Sequence, residues 1–190
     1  TPEGRFVYGR SYLERPNAVA LDPIELKLSP RTYSTVAQGG VFGALRDASP
    51  DYWGRRVIQR HLGKAQPGEM EYLLYSPDDR AGALGFGLNQ TPPAPKRAFN
   101  QTLDLEKVQV IADALMADEA LPVSAAGDDH DQVEKLLMIG TSMGGARPKA
   151  AVEDEAGLWI AKFNRPDDPW NCARVEHAML TLARSCGLTT

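Results

Sequence analysis

The sequence predicts an α+β protein, and three observations carry that reading. Prolines at 2, 16, 23 and 30 and glycines at 4, 9, 39, 40 and 43 break the first 48 residues too often for a long helix, while short runs such as FVYG and VALDPIELKL have strand composition. Apolar residues recur at helical spacing in SPDYWGRRVIQRHLG and LDLEKVQVIADALMADEAL. After residue 140 the rhythm changes again: RPKAAVE and LWIAKF read as two strands joined by Asp-Glu-Ala-Gly, followed by one long helix. The expected architecture is a mostly β amino-terminal subdomain carrying helices, then a small sheet packed by a helix over 170–186.

In order along the chain, the first helix is expected at about 50–62. Ser49 can cap it, Pro50 suits its first position, Asp51 favours the positive helix end, and Gly63 is a natural stop. Trp53, Val57 and Ile58 share its apolar face, and the nearby Arg55, Arg56 and Arg60 read as a solvated face. A short helix is expected over Gly68–Tyr75, after which SPDDRAG turns into a strand, ALGFGL. QTPPAPKRAFN, residues 90–100, is a proline-bearing connection and the candidate internal boundary. The helix expected at 104–118 places Leu105, Val108, Ile111, Ala112 and Leu115 at core spacing, and QVEKLLMI is a further helical piece. In the last helix Val175, Met179, Leu182 and Cys186 line one face, with Gly187 as the cap.

The 190 residues, 43% hydrophobic and 24% charged, suffice for one large domain or two small ones with a real core. A net charge of −4 argues against a broad basic nucleic-acid-binding surface. Cys172 and Cys186 form no C-x-x-C, and His61, His130 and His177 are scattered, so neither a zinc site nor a disulfide framework is indicated. Free thiols suit a reducing compartment, and the expected location is the cytoplasm. No apolar run approaches the ~18 residues of a membrane span, and no signal peptide is visible; the chain starts at Thr1, which allows for a segment upstream.

The stretch GTSMGGARPKA, residues 140–150, is the chemically informative one. It is not a Walker A loop, because Ala146 and Arg147 stand where the lysine and hydroxyl belong. It is not a dinucleotide fingerprint either, since Ser142 sits at the second glycine. A third layout fits better. In protein kinases a glycine-rich loop between strands covers the nucleotide phosphates, a strand lysine binds them, and a helix glutamate holds that lysine. Here the order is Ser142-Met143-Gly144-Gly145, then Lys162 in WIAKF, then Glu176 in the following helix. Glycine lets backbone N–H groups approach a phosphate, lysine supplies a mobile point charge, and the carboxylate aims it. Ile160 shares a strand face with Lys162, which would give the lysine apolar flanks. The bland alternative is a Gly-Gly turn, a surface lysine and a solvated glutamate.

SMGGARPKA, followed by WIAKF and NCARVEHAMLTLARSCGL, resembles the HipA-type serine/threonine kinases of bacterial toxin–antitoxin systems. FGALRDASPDYWGRRVI and YLLYSPDDRAGALGF resemble the amino-terminal region of that family, so the likeness runs from about residue 5 to 188. The resemblance implies a HipA-type amino-terminal region over 1–124 and, over 125–190, the start of a kinase-like domain, part of its N-lobe. It implies ATP and magnesium as cofactors for the intact protein, a HipB-type antitoxin as partner and DNA contact only through that antitoxin. The implied substrate is a protein of the aminoacyl-tRNA synthetase kind, as in the member that phosphorylates glutamyl-tRNA synthetase. Carried onto this chain, the ATP-binding residues are Ser142, Met143, Gly144, Gly145, Ala146, Lys162 and Glu176. Ser142 is the expected autophosphorylation site, whose modification ejects the loop, and Thr141 is a second acceptor. No metal ligand is implied here.

One departure matters. The catalytic aspartate and the magnesium-binding Asn and Asp of a kinase follow the helix that bears Glu176, and the sequence ends at Thr190, so no catalytic residue is expected within it. Asp167 and Asp168 precede that helix. The alternative reading is a non-catalytic binding module, or a split-kinase subunit, that binds an antitoxin or companion chain. Incubated with labelled ATP and magnesium, the 190-residue chain alone is expected to transfer no phosphate; label on the purified chain would contradict this.

Overall fold

The computed structural model describes residues 3–35, 40–76, 80, 82–89, 91, 105–117 and 145–190. The chain divides into two units, Thr1–Ser49 and Pro50–Thr190.

In the first unit β1 (Arg5–Phe6) pairs antiparallel with β2 (Tyr33–Ser34), Phe6 opposite Tyr33, and two short helices, α1 (Arg10–Leu13) and α2 (Gly43–Asp47), complete it. Tyr8, Leu26, Tyr33 and Phe42 form its core, with Phe6 and Leu45 packed against it. The buried Tyr8 hydroxyl is fully used: it accepts from the Leu21 N–H at 2.7 Å and donates to the Leu26 carbonyl at 2.5 Å. Thr35 Oγ1, also buried, accepts from the Gly4 N–H at 2.7 Å. A Cβ on Gly4 would lie 2.5 Å from the Gly40 carbonyl oxygen, so that close approach requires glycine.

This unit is less β than its composition suggests. VALDPIELKL forms no strand, only an isolated bridge between Asp22 and Leu26. Asp22 Oδ1 accepts from the Ile24 and Glu25 N–H groups at 2.7 and 3.0 Å, and Pro23 contributes no donor, so Asp-Pro turn chemistry overrides the apolar pattern. In the second unit ALGFGL is likewise not a strand. Gly82 has φ +95°, and Gly85 and Gly87 further weaken pairing.

The second unit opens with α3 (Tyr52–Leu62), α4 (Glu69–Tyr75) and α5 (Leu105–Ala117). The cap of α3 is Asp51 rather than Ser49: its Oδ1 accepts from the Gly54 N–H at 3.2 Å, and Pro50 lies before the cap. Gly63 ends the helix at φ 60° as expected. The arginines of α3 are more than a solvated face. Arg55 forms two 2.7 Å bonds to the Glu69 carboxylate and lies 4.3 Å from the centre of the Tyr72 ring, tying α3 to α4. The Glu69 carboxylate holds its guanidinium above the usual arginine range, against the opposing effect of burial. Arg56 donates to the Leu115 carbonyl at 3.0 Å, tying α3 to α5.

After α5 comes an antiparallel hairpin, β3 (Lys149–Asp154) and β4 (Gly157–Lys162), closed by Glu155-Ala156 with Gly157 at φ +137°. Ala150 and Phe163 carry one face of it into a core made with Trp53, Val57, Val108, Ile111, Ala112 and Leu115. The last helix, α6 (Cys172–Ser185), is capped by Asn171, whose Oδ1 accepts from the Arg174 N–H at 2.9 Å. Its expected core face is not buried: Val175, Met179 and Leu182 are about half exposed. The candidate boundary at 90–100, apart from Thr91, and the QVEKLLMI segment lie outside the described residues. No helix among the described residues is long and apolar enough to cross a membrane.

Trp53 is the keystone of this core. It is fully buried, and its indole N–H donates to the Lys149 carbonyl at 3.2 Å. Trp53→Ala should cost about 3–5 kcal/mol and Trp53→Phe, which removes that hydrogen bond, about 1 kcal/mol, read from urea unfolding midpoints.

Candidate phosphate-binding site

The hairpin sets two lysines side by side. Lys149 and Lys162 are direct partners across the ladder, on the face opposite Ala150 and Phe163. The next pair along, Phe163 N–H to the Pro148 carbonyl at 3.0 Å, is hydrogen-bonded, so the lysines occupy a non-hydrogen-bonded pair, where facing side chains approach most closely.

Each lysine is answered by a carboxylate from a different helix. Lys162 Nζ pairs with Glu176 Oε1, with the two side chains 47% and 46% exposed. Glu176 reaches this position because the start of α6 is tied to the end of β4. Asn164 Oδ1 accepts from the Ala173 N–H at 3.2 Å, and the Asn164 carbonyl accepts from Gln109 of α5 at 3.1 Å. Lys149 is buried, with its ammonium 3.8 Å from Asp51 Oδ2 at the cap of α3. Burial pushes the Lys149 pKa below the usual lysine value, and Lys162 reinforces that shift while Asp51 opposes it.

Gly145 closes over this group. It has φ +105°, a conformation that favours glycine, and a Cβ there would stand 2.7 Å from Lys149 Nζ, so a side chain would have to displace that ammonium. Two residues on, Arg147 pairs with Asp168 in the turn that leads to α6. The Asp168 side chain is only 8% exposed and also accepts from the Arg165 N–H at 2.9 Å. Arg147 and that N–H hold the Asp168 carboxyl below the usual aspartate range. The end of the glycine-rich segment and the approach to Glu176 are thereby fastened together.

Of the residues read as ATP-binding, Gly145, Ala146, Lys162 and Glu176 are described, and Lys162 and Glu176 are in direct contact. Thr141, Ser142, Met143 and Gly144 lie outside the described residues. The expectation of apolar flanks for Lys162 is corrected: Ile160 is itself half exposed, so the lysine is restrained by its carboxylate and not by desolvation. Sequence reasoning missed Lys149, although the length of the Asp-Glu-Ala-Gly turn fixes which residue faces Lys162. It also missed Asp51 as a partner, for which nothing local in the sequence gives a signal. Among the described residues no group of His, Cys, Asp or Glu is arranged to hold a metal ion.

The chain matches the family model of the HipA N-terminal domain over residues 1–87 and that of the HipA-like C-terminal domain over residues 141–190. No curated protein and no solved structure matches it.

The Arg147–Asp168 pair has a pH signature. With its folded pKa lowered, Asp168 contributes stability that is present above the ordinary aspartate pKa of about 3.9 and lost as pH falls through the lower folded value. Asp168→Asn should therefore reduce the unfolding midpoint at pH 7 and narrow the gap between variant and parent at pH 3. An equal gap at both pH values would contradict the pairing.

Proposed function

The chain is a member of the HipA-like family, and on that premise we propose that it comprises the amino-terminal region and the start of the kinase domain of a HipA-like protein serine/threonine kinase. In this reading the intact protein is the toxin of a toxin–antitoxin pair, held by a HipB-type antitoxin and directed at a protein substrate of the aminoacyl-tRNA synthetase kind. The observation that carries it is the pairing of strand Lys162 with helix Glu176, downstream of a glycine-rich segment.

The residues fit a nucleotide's phosphates. ATP, when bound, supplies the phosphoryl group. Lys162, half exposed and paired with Glu176, would neutralise phosphate oxygens, and the glycine residues of the segment, as a residue type, would let backbone N–H groups approach. Lys149 strengthens the case: two cations facing each other across a ladder repel, and an anion on their face relieves that repulsion. Ser142 would act as the switch, since phosphate there adds about −1.5 to −2 charges to a segment that serves another phosphate. Magnesium is not assigned to these residues, because no described group is arranged to hold it.

A second reading, a non-catalytic binding module or split-kinase subunit, is favoured by the exposed apolar residues of α6, Val175, Met179 and Leu182.

In the intact protein Lys162→Ala should weaken ATP binding by about 10- to 100-fold, the equivalent of one charged hydrogen bond, and abolish turnover. Ser142→Asp should impair nucleotide binding more than Ser142→Ala. Full kinase activity in Lys162→Ala would remove the phosphate-site reading and leave the binding module in its place.

A further inference from the structure

A second, separate cluster of positive charge surrounds a cleft of about 340 Å³ in the Pro50–Thr190 unit. Arg56, Gln59 and Arg60 of α3 line it together with Lys64, just past the end of that helix, and α5 contributes Ala114 and Leu115. Neither Lys149 nor Lys162 is part of it, and among the described residues no carboxylate lines it, although Glu71 pairs with Lys64. Three cations around one cavity are unexpected in a chain of net charge −4.

The side chains are arranged in different ways. Arg56 is held against the wall by its bond to the Leu115 carbonyl at 3.0 Å. Lys64 is steadied by Glu71 at 2.5 Å. The guanidinium of Arg60, one turn beyond Arg56 and exposed, makes no hydrogen bond or ion pair among the described residues. Cations at a helix end commonly serve its exposed carbonyls, and Arg60 lies in the last turn of α3. Here the Gln59 and Arg60 carbonyls already accept from the Lys64 and Gly63 N–H groups, both at 3.1 Å. Capping therefore leaves the Arg60 guanidinium without a task.

We propose that this cleft binds a small phosphate-bearing anion. Guanidinium groups present paired N–H donors matched to phosphate oxygens, Lys64 adds a point charge, and Ala114 and Leu115 offer an apolar wall to the remainder of the ligand. The concave form and volume suit a small molecule. The site is independent of the nucleotide reading, because it shares no residue with the lysine pair.

The test is a titration of the intact protein with pyrophosphate, inorganic phosphate and a sugar phosphate in ~0.15 M salt, followed by backbone NMR. All measurements use a Lys162→Ala background to remove the other anion site. Pyrophosphate should shift the Gly63, Lys64 and Leu115 amides. Arg60→Gln, a change at an exposed position, should weaken that binding by about tenfold, and Arg60→Lys should restore part of it. Tighter binding of the sugar phosphate than of inorganic phosphate identifies an ester as the ligand, and the reverse identifies free phosphate. The proposal falls if those amides do not move, if Arg60→Gln leaves the affinity unchanged, or if a short DNA duplex shifts the same amides at lower concentration, which would mark a nucleic-acid surface instead.

Discussion

The register of the β3–β4 hairpin is the constraint on which the site depends. With Lys149 opposite Lys162, the Ala150 and Phe163 face goes to the core and the two lysines share the other face. A slip of one residue would exchange those faces. The register also fixes the helices' tasks. Asp51 at the cap of α3 and Glu176 in α6 each meet one lysine, and Trp53 of α3 takes up the Lys149 carbonyl that points away from β4. One small ladder thus organises contacts from residues 51, 53 and 176, far apart in the sequence.

Energetically, stability and site belong to different groups. The core of Trp53, Val57, Val108 and Ile111 supplies burial, the dominant favourable contribution. The Lys162–Glu176 pair is half exposed, and pairs of that kind contribute little to stability, so its value lies in position. Lys149 is buried beside another cation, and burial and Lys162 disfavour its charge while Asp51, 3.8 Å away, favours it.

Much of this was legible in the sequence wherever local signals agreed. Trp53, Val57 and Ile58 predicted the buried face of α3, and Val108, Ile111, Ala112 and Leu115 that of α5, because helical periodicity and burial coincide there. The hairpin could be read because strand composition flanks an unambiguous turn. The strands expected at VALDPIELKL and ALGFGL failed for the complementary reason: proline and glycine chemistry opposed the apolar pattern and won. In the site, the order Gly145, Lys162, Glu176 could be read because all three lie in consecutive elements. Asp51 could not be, since its meeting with Lys149 is a product of packing. The face of α6 misled in another way: amphipathic spacing shows that a surface is fit for burial, and Val175 and Met179 show that it need not be buried within the described residues.

The central claim is that the face bearing Lys149 and Lys162 receives the phosphates of a nucleotide. An ATP analogue carrying a reactive acyl group on its terminal phosphate transfers that group to whichever lysine lies beside the phosphates, and peptide mapping then names the lysine. With the intact protein, the account predicts modification concentrated on Lys162, with Lys149 the other candidate, and suppressed by unmodified ATP. Labelling spread over exposed lysines such as Lys64, and indifferent to added ATP, would contradict it.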